Sequence, residues 1–286
     1  MTAERVWTAD DAARMLRAPV AGDDKYTRGV LGVATGSEAF PGAAVLGVEG
    51  AIRAGAGMVR YLGPATPTGL VLHRRPEVVL GEGRVQAWLV GSGMPGAADR
   101  TQTDQQRVGL AFNDGVPVVA DAGALDRIDA ATAPVVITPH YRELERALDR
   151  SSAALTAAEI AADASTAAAR AAEALGVTVL LKGATTYVAA PGAEPISVAL
   201  GTHWLATAGS GDVLGGILGA FVAGGTDLIG QRGHDALAEL AATAAAVHGL
   251  AGVAASAGGP IAALDIAHAV PAVIAGLLRG GGNPPR

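Results

Sequence analysis

A series of short apolar runs, each stopping at small or polar residues, restricts this chain more than any single motif does. Val30–Ala34 runs into Thr35-Gly36-Ser37, and Ala87–Val90 into Gly91-Ser92-Gly93. Residues 116–120 run into Asp121-Ala122-Gly123, Val135–Ile137 into Thr138-Pro139-His140, and residues 177–181 into Lys182-Gly183. Strands that are apolar at every position are covered on both faces, as in parallel sheets, and ligands collect beyond the carboxyl ends of such strands. The pattern therefore predicts an α/β fold in which Thr35, Gly93, Asp121, His140 and Lys182 line one rim.

The segments between the runs read as helices. Thr8 is placed to cap a first helix that ends near Leu16, ahead of Asp10 and Asp11. Pro41 opens a second, with Val45, Val48 and Ile52 on one face. Residues 58–62 form another strand, and an alanine-rich helix is predicted over residues 156–175. Residues 185–190 and 196–199, separated by Pro191-Gly192, read as an antiparallel pair. Two further helices are predicted over residues 233–257 and 264–278. No linker, charge run or repeat divides the chain, so residues 1–286 are expected to form one domain.

The antiparallel pair leads into LGTHWLATAGSGDVLGGILGA, residues 200–220. Gly209, Ser210 and Gly211 can present successive N–H groups to a ligand with little side chain in the way. Val213, Leu214, Ile217, Leu218 and Phe221 follow at helical spacing. The turn thus falls at a helix N-terminus, where unpaired N–H groups and the helix dipole favour an anion such as phosphate, with Asp212 beside it. The alternative reading makes Ser210 an ordinary cap and Asp212 a dipole-matching acid.

Composition narrows the partners. The chain has 21 basic and 27 acidic residues, a formal charge of −6, and no basic run, which argues against nucleic acid. It has no cysteine, which removes disulfides, thiol catalysis and thiolate metal sites. The first sixteen residues carry acids and lack the apolar stretch of a secretory signal. The apolar segments near Val213 and Val247 read as interrupted by polar residues and short of a membrane span, so no membrane partner and a cytoplasmic location are expected.

Lys182, before Gly183-Ala184-Thr185-Thr186, suits a cation and hydroxyls at a nucleotide, or alternatively a solvated strand end. His140 can donate to a substrate or move a proton, or simply open a helix beside Glu143. Asp121 can bind a ligand or a hydrated magnesium ion, or cap the next turn. His203, His248 and His268 have no partners at metal-ligand spacing and are read as structural, so no metal site is assigned. The G-x-x-x-x-G-K-[ST], G-x-G-x-x-G and G-x-S-x-G patterns are absent, which leaves the turn at Gly209 as the phosphate site.

In this order the motifs resemble the ADP/ATP-dependent NAD(P)H-hydrate dehydratases, the YjeF C-terminal-domain family. The resemblance rests on Lys25 with Gly29, Gly36-Ser37, Pro41-Gly42-Ala43-Ala44, Arg53-Ala54-Gly55-Ala56-Gly57 and Pro76-Glu77. It continues through Gly91-Ser92-Gly93, Asp121 to Leu125, Thr138-Pro139-His140 with Glu143, Lys182-Gly183, and Leu205-Ala206 with Gly209-Ser210-Gly211-Asp212. The chain departs from the family pattern at Tyr26, Arg142 and Thr202, where glycine, glycine and asparagine are usual, and carries Ser210 in place of threonine.

The resemblance implies a ribokinase-like fold, a central and mostly parallel sheet flanked by helices on both faces. It also implies dehydration of the S-form of hydrated NADH or NADPH (NADHX, NADPHX), through phosphorylation of the ring hydroxyl by ADP or ATP with Mg2+, then loss of phosphate. Ala43, Ala44, Gly93, His140 and Asp212 would contact the substrate, with Asp212 catalytic. Lys182, Gly183, Ala184, Thr185, Thr186, Gly209, Ser210 and Gly211 would contact the adenine nucleotide. A homotetramer is implied, and an NAD(P)HX epimerase that acts separately, since the residues leave no segment to build one. The rival readings are a small-molecule kinase of the hydroxyethylthiazole kinase type and a nucleotide-binding protein without turnover.

Overall fold

The computed structural model describes residues 4–149, 151 and 153–280. The expected domain boundaries at 1 and 286 lie outside those residues. The strands are β1 (Arg5–Val6), β2 (Val30–Ala34), β3 (Met58–Tyr61), β4 (Val79–Leu80), β5 (Ala87–Val90), β6 (Val118–Ala120), β7 (Val135–Ile137), β8 (Thr178–Leu181), β9 (Thr186–Ala189) and β10 (Ile196–Val198). The helices are α1 (Ala9–Met15), α2 (Gly42–Arg53), α3 (Ala65–Arg74), α4 (Gln102–Asn113), α5 (Tyr141–Leu148), α6 (Ala157–Ala162), α7 (Ala164–Leu175), α8 (Ser210–Gly224), α9 (Thr226–Arg232), α10 (His234–Ser256) and α11 (Ala263–Gly280).

The strands form one sheet in the order β1-β10-β9-β8-β7-β6-β5-β2-β3-β4. From β8 to β4 every neighbouring pair is parallel, while β9 runs antiparallel to both β8 and β10. Alternation along each strand sends side chains into two separate cores. Leu31, Val33, Leu89, Val119, Val136 and Leu180 meet α2, α8, α10 and α11 on one face. Ala34, Val90, Val118, Val135, Ile137 and Leu181 meet α4, α5, α6 and α7 on the other. Residues 30–34, 87–90, 118–120 and 135–137 are buried at every position, the condition the continuous apolar runs implied.

Local chemistry sets the helix starts. Thr8 accepts from the Asp11 N–H and completes a capping box with the Asp11 side chain. The alanine-rich stretch departs from expectation: it is two helices, α6 and α7, divided at Asp163. Asp163 has φ −147° and ψ 77° and turns its carboxylate to the Thr166 N–H. Helix propensity was uniform over this stretch, but an aspartate that competes for backbone N–H groups is better placed at a cap than inside a helix.

The membrane expectation also needs correction. By length and composition α10 and α11 are each apolar enough to cross a membrane, and α8 with α9, bent by 74°, would make up to a third span. The isolated polar residues do not lower the mean hydropathy of these alanine-rich segments enough. In α10, 83% of the apolar window is buried inside the protein, against 22% in α11.

Helices α2 and α8 are pressed together along glycines. A Cβ on Gly216 would fall inside the Gly47 carbonyl oxygen and 2.8 Å from the Ala51 nitrogen. Both obstacles are backbone, so neither can swing aside. Gly216→Ala is therefore expected to lower stability by about 3 kcal/mol, the upper range for overpacking and well beyond the ~1 kcal/mol that alanine gains in helix propensity. Urea unfolding checks this. An unchanged midpoint would mean the helices separate freely.

Candidate active site

The carboxyl ends of the parallel strands and the N-terminus of α8 meet at one place. Gly209 precedes α8 with φ +85°, the left-handed region, and a Cβ there would strike the Leu46 side chain. Glycine alone fits both demands. Gly209 is the N-cap residue and makes no side-chain cap bond, so Ser210 is the first helical residue and not the cap.

Asp212 lies in the first turn of α8 and accepts a short hydrogen bond from the Ser92 hydroxyl, at the end of β5. Burial pushes its carboxyl above the usual range and Asp121 adds to this, opposed by the Ser92 bond and the Lys182 charge.

Asp121, at the end of β6, leaves the following turn uncapped. It accepts from Thr138 Oγ1 (2.8 Å) and from Lys182 Nζ (3.0 Å). Lys182 is no solvated strand end: its side chain is 22% exposed, Asp121 anchors it, and Glu143 Oε2 lies 3.8 Å away. Burial works against its charge, but Asp121, Glu143 and Asp212 prevail and raise its pKa above the ordinary lysine value. Its ammonium stands 3.5 Å from the Cβ position of Gly211, which brings the cation to the glycine turn.

The remaining predicted residues arrange themselves around this cluster. Gly93 lies against Ala43 and Gly36 against Ala44, and the Gly36 N–H donates to the Ser92 carbonyl (2.7 Å), so the start of α2 is tied to the strand that supplies Ser92. Gly183, Ala184 and Thr185 form the β8–β9 turn and Thr186 begins β9. Tyr141 Oη packs against Gly183, and the Lys182 N–H donates to the Pro139 carbonyl (2.8 Å). His140 caps α5: its Nδ1 accepts from the Glu143 N–H (3.2 Å) while Glu143 accepts from the His140 N–H (2.8 Å). That is the helix-opening role, and the ring, 52% exposed, joins the cluster through Glu143.

Sequence reasoning passed over Ser92, Thr138, Glu143 and Tyr141 as site residues, although the strand-end rule that singled out Gly93 and Asp121 covers the first two. His248 was read as structural. It is buried beneath the glycine turn, 3.0 Å from the Ser210 carbonyl, and no spacing links two residues 38 positions apart. A cleft of about 560 Å³, lined by Asp99, Asp126, Asp129 and Arg146 among others, reaches the edge of the cluster at Glu143.

Among the described residues no three His, Asp or Glu side chains converge as a metal-ligand set. Magnesium carried on phosphates requires only one or two protein carboxylates, and Asp121 and Asp212 meet that lesser demand beside the turn.

A parallel sheet ending in a glycine turn, with a buried acid and a lysine at the turn, defines an α/β protein of the ribokinase-like class. A solved Bacillus subtilis ADP/ATP-dependent NAD(P)H-hydrate dehydratase, co-crystallised with ATP and magnesium, matches this fold with a TM-score of 0.81. It is 24% identical and aligns over 96% of this chain and 99% of its own.

The family model for NAD(P)H-hydrate dehydratase matches residues 31–271, and the chain belongs to that family. The ADP-dependent (S)-NAD(P)H-hydrate dehydratase of Neisseria meningitidis is 33% identical over 90% of this chain and 83% of its own length. The bifunctional NAD(P)H-hydrate repair enzyme Nnr of Mycobacterium tuberculosis is 41% identical over 76% of this chain, but the match spans 46% of that relative, about half its length. Family membership favours the dehydratase reading over the kinase one.

Proposed function

We propose that this protein is a nucleotide-dependent dehydratase that restores NADH or NADPH from the S-form of the hydrated dinucleotide. The observation that carries the reading is the convergence of Asp212, Ser92, Asp121 and Lys182 at the glycine turn opening α8. The relatives' names supply the substrate class. We take the acting unit to be a single domain.

The turn N–H groups and Lys182 hold the terminal phosphoryl of ADP or ATP through charge and the helix dipole. Gly183, Ala184, Thr185 and Thr186, beside Lys182, take the rest of the nucleotide. Ala43, Ala44, Gly93 and His140 hold the dinucleotide so that its ring hydroxyl faces Asp212. Asp212 orients that hydroxyl and accepts its proton as the oxygen bonds to phosphorus and the nucleotide departs. The ring nitrogen lone pair then expels phosphate, and loss of a proton from the adjacent carbon completes the double bond. The raised pKa makes Asp212 a better base than a solvated aspartate. Magnesium, when bound on the phosphates beside Asp121 and Asp212, supplies charge neutralisation.

Incubation with hydrated NADH and either ADP or ATP is expected to restore NADH absorbance with stoichiometric phosphate release. No recovery with either donor would remove the dehydratase reading, and nucleotide binding without turnover would leave a binding protein. A homotetramer and an NAD(P)HX epimerase as functional partner complete the reading, and rest on the resemblance.

A further inference from the structure

The glycine turn has a second layer that the reaction scheme does not use. Gly209 and Gly211 have no side chains with which to hold the turn in place, so Ser210 is its only side-chain anchor. His248, in the middle of α10, supplies the partner: its Nε2 lies 3.0 Å from the Ser210 carbonyl oxygen and 3.2 Å from Ser210 Oγ. A carbonyl only accepts, so Nε2 bears the hydrogen. Burial pushes the imidazole pKa down to about 4, assisted by the Lys182 charge and opposed by the Ser210 bond, so the ring is a neutral donor.

The consequence follows from peptide geometry. The carbonyl of Ser210 and the N–H of Gly211 belong to one planar trans unit and point in opposite directions. A donor that holds the carbonyl from one side sets the direction of the Gly211 N–H on the other, and Lys182 Nζ stands 3.5 Å from the position a Cβ on Gly211 would take. Lys182 and this N–H are thereby fixed independently, the cation by Asp121 and the amide by α10.

We infer that His248 is a positioning residue for nucleotide binding, which holds the Ser210–Gly211 peptide with its N–H aimed at the terminal phosphate. This inference rests on the phosphate-binding reading of the turn. ADP and ATP are each titrated calorimetrically into the wild type, His248→Leu, His248→Gln and Ser210→Ala, below the Tm of every variant. His248→Leu is expected to weaken nucleotide binding about tenfold, the effect of one lost hydrogen bond at the upper end of the usual range. Its nucleotide KM should rise by more than its kcat falls. His248→Gln, which offers an N–H at similar reach, should recover most of the affinity. Ser210→Ala keeps the carbonyl and should lose less than His248→Leu.

A purely structural histidine would lower Tm and leave the affinity of the folded protein unchanged. Wild-type affinity in His248→Leu, or equal weakening in the Leu and Gln variants, overturns the inference while the function stands. A wild-type protein that binds neither nucleotide overturns both.

Discussion

Asp212→Asn is expected to lower turnover by about a thousandfold while nucleotide affinity stays near wild type, because the amide keeps the shape but can neither accept the substrate proton nor orient the hydroxyl by charge. The same change should make the protein more stable. The folded-state carboxyl titrates above its unfolded value, so the native state holds the proton more tightly than the unfolded chain. Stability from this group therefore falls as pH rises through the window above the ordinary aspartate pKa, and at neutral pH the ionised, half-buried carboxylate is a destabilising charge. Asparagine removes that charge and still accepts from Ser92.

Steady-state kinetics with thermal melts at pH 7 test both halves. Wild-type kcat/KM should also decline on the acid side at a pH above the usual carboxylate range, as Asp212 gains a proton. Unchanged turnover in Asp212→Asn would end the catalytic assignment. A lower Tm would mean that Asp212 serves the fold through Ser92.

Lys182→Met should weaken nucleotide binding by about a hundredfold, since its ammonium stands beside Gly211 and a charge-assisted bond to phosphate contributes ~1.5–3 kcal/mol. It should also destabilise the fold by about 2 kcal/mol. Asp121, whose side chain is only 7% exposed, would retain Thr138 but lose its counter-charge. Full removal of one partner from a buried pair costs ~3–5 kcal/mol, and the partial exposure of Lys182 reduces that. The double variant Lys182→Met/Asp121→Asn separates the two effects: it should regain much of the stability and none of the affinity. Calorimetric titration with ADP and urea unfolding give the two readouts. Recovered affinity in the double variant would show that Lys182 acts only by neutralising Asp121.

Strands β2, β5, β6, β7 and β8 were legible because burial on both faces leaves an apolar run with no alternation, and five such runs recur in order. Strand β4, two residues long and partly exposed, left no such run. Helices α3 and α4 were not recognised. The first turn of α3 contains Pro67, and α4 is polar overall with few buried residues, so neither has the strong apolar stripe that marks a helix in a sequence. The break at Asp163 was hidden because alanine is a good helix former on both sides of it.

At the site, the glycine turn and Asp212 could be read locally, because left-handed backbone and an anion-favouring helix start depend on adjacent residues. The role of Lys182 could not. Its choice between solvent and cluster depended on Asp121 and Glu143, carried on different elements and brought within reach only when β6, β7 and β8 align in register.

Residue order alone determined the buried parallel strands, their rim and the glycine turn at the start of a helix, since each follows from patterns within a few positions. Tertiary structure alone decided which groups face that turn: Ser92 on Asp212, Lys182 on Asp121, His248 behind Ser210. The physical reason is that charge and hydrogen bonding act across a few ångströms of space, and only the packed sheet and helices make those distances short for residues 38 to 120 positions apart.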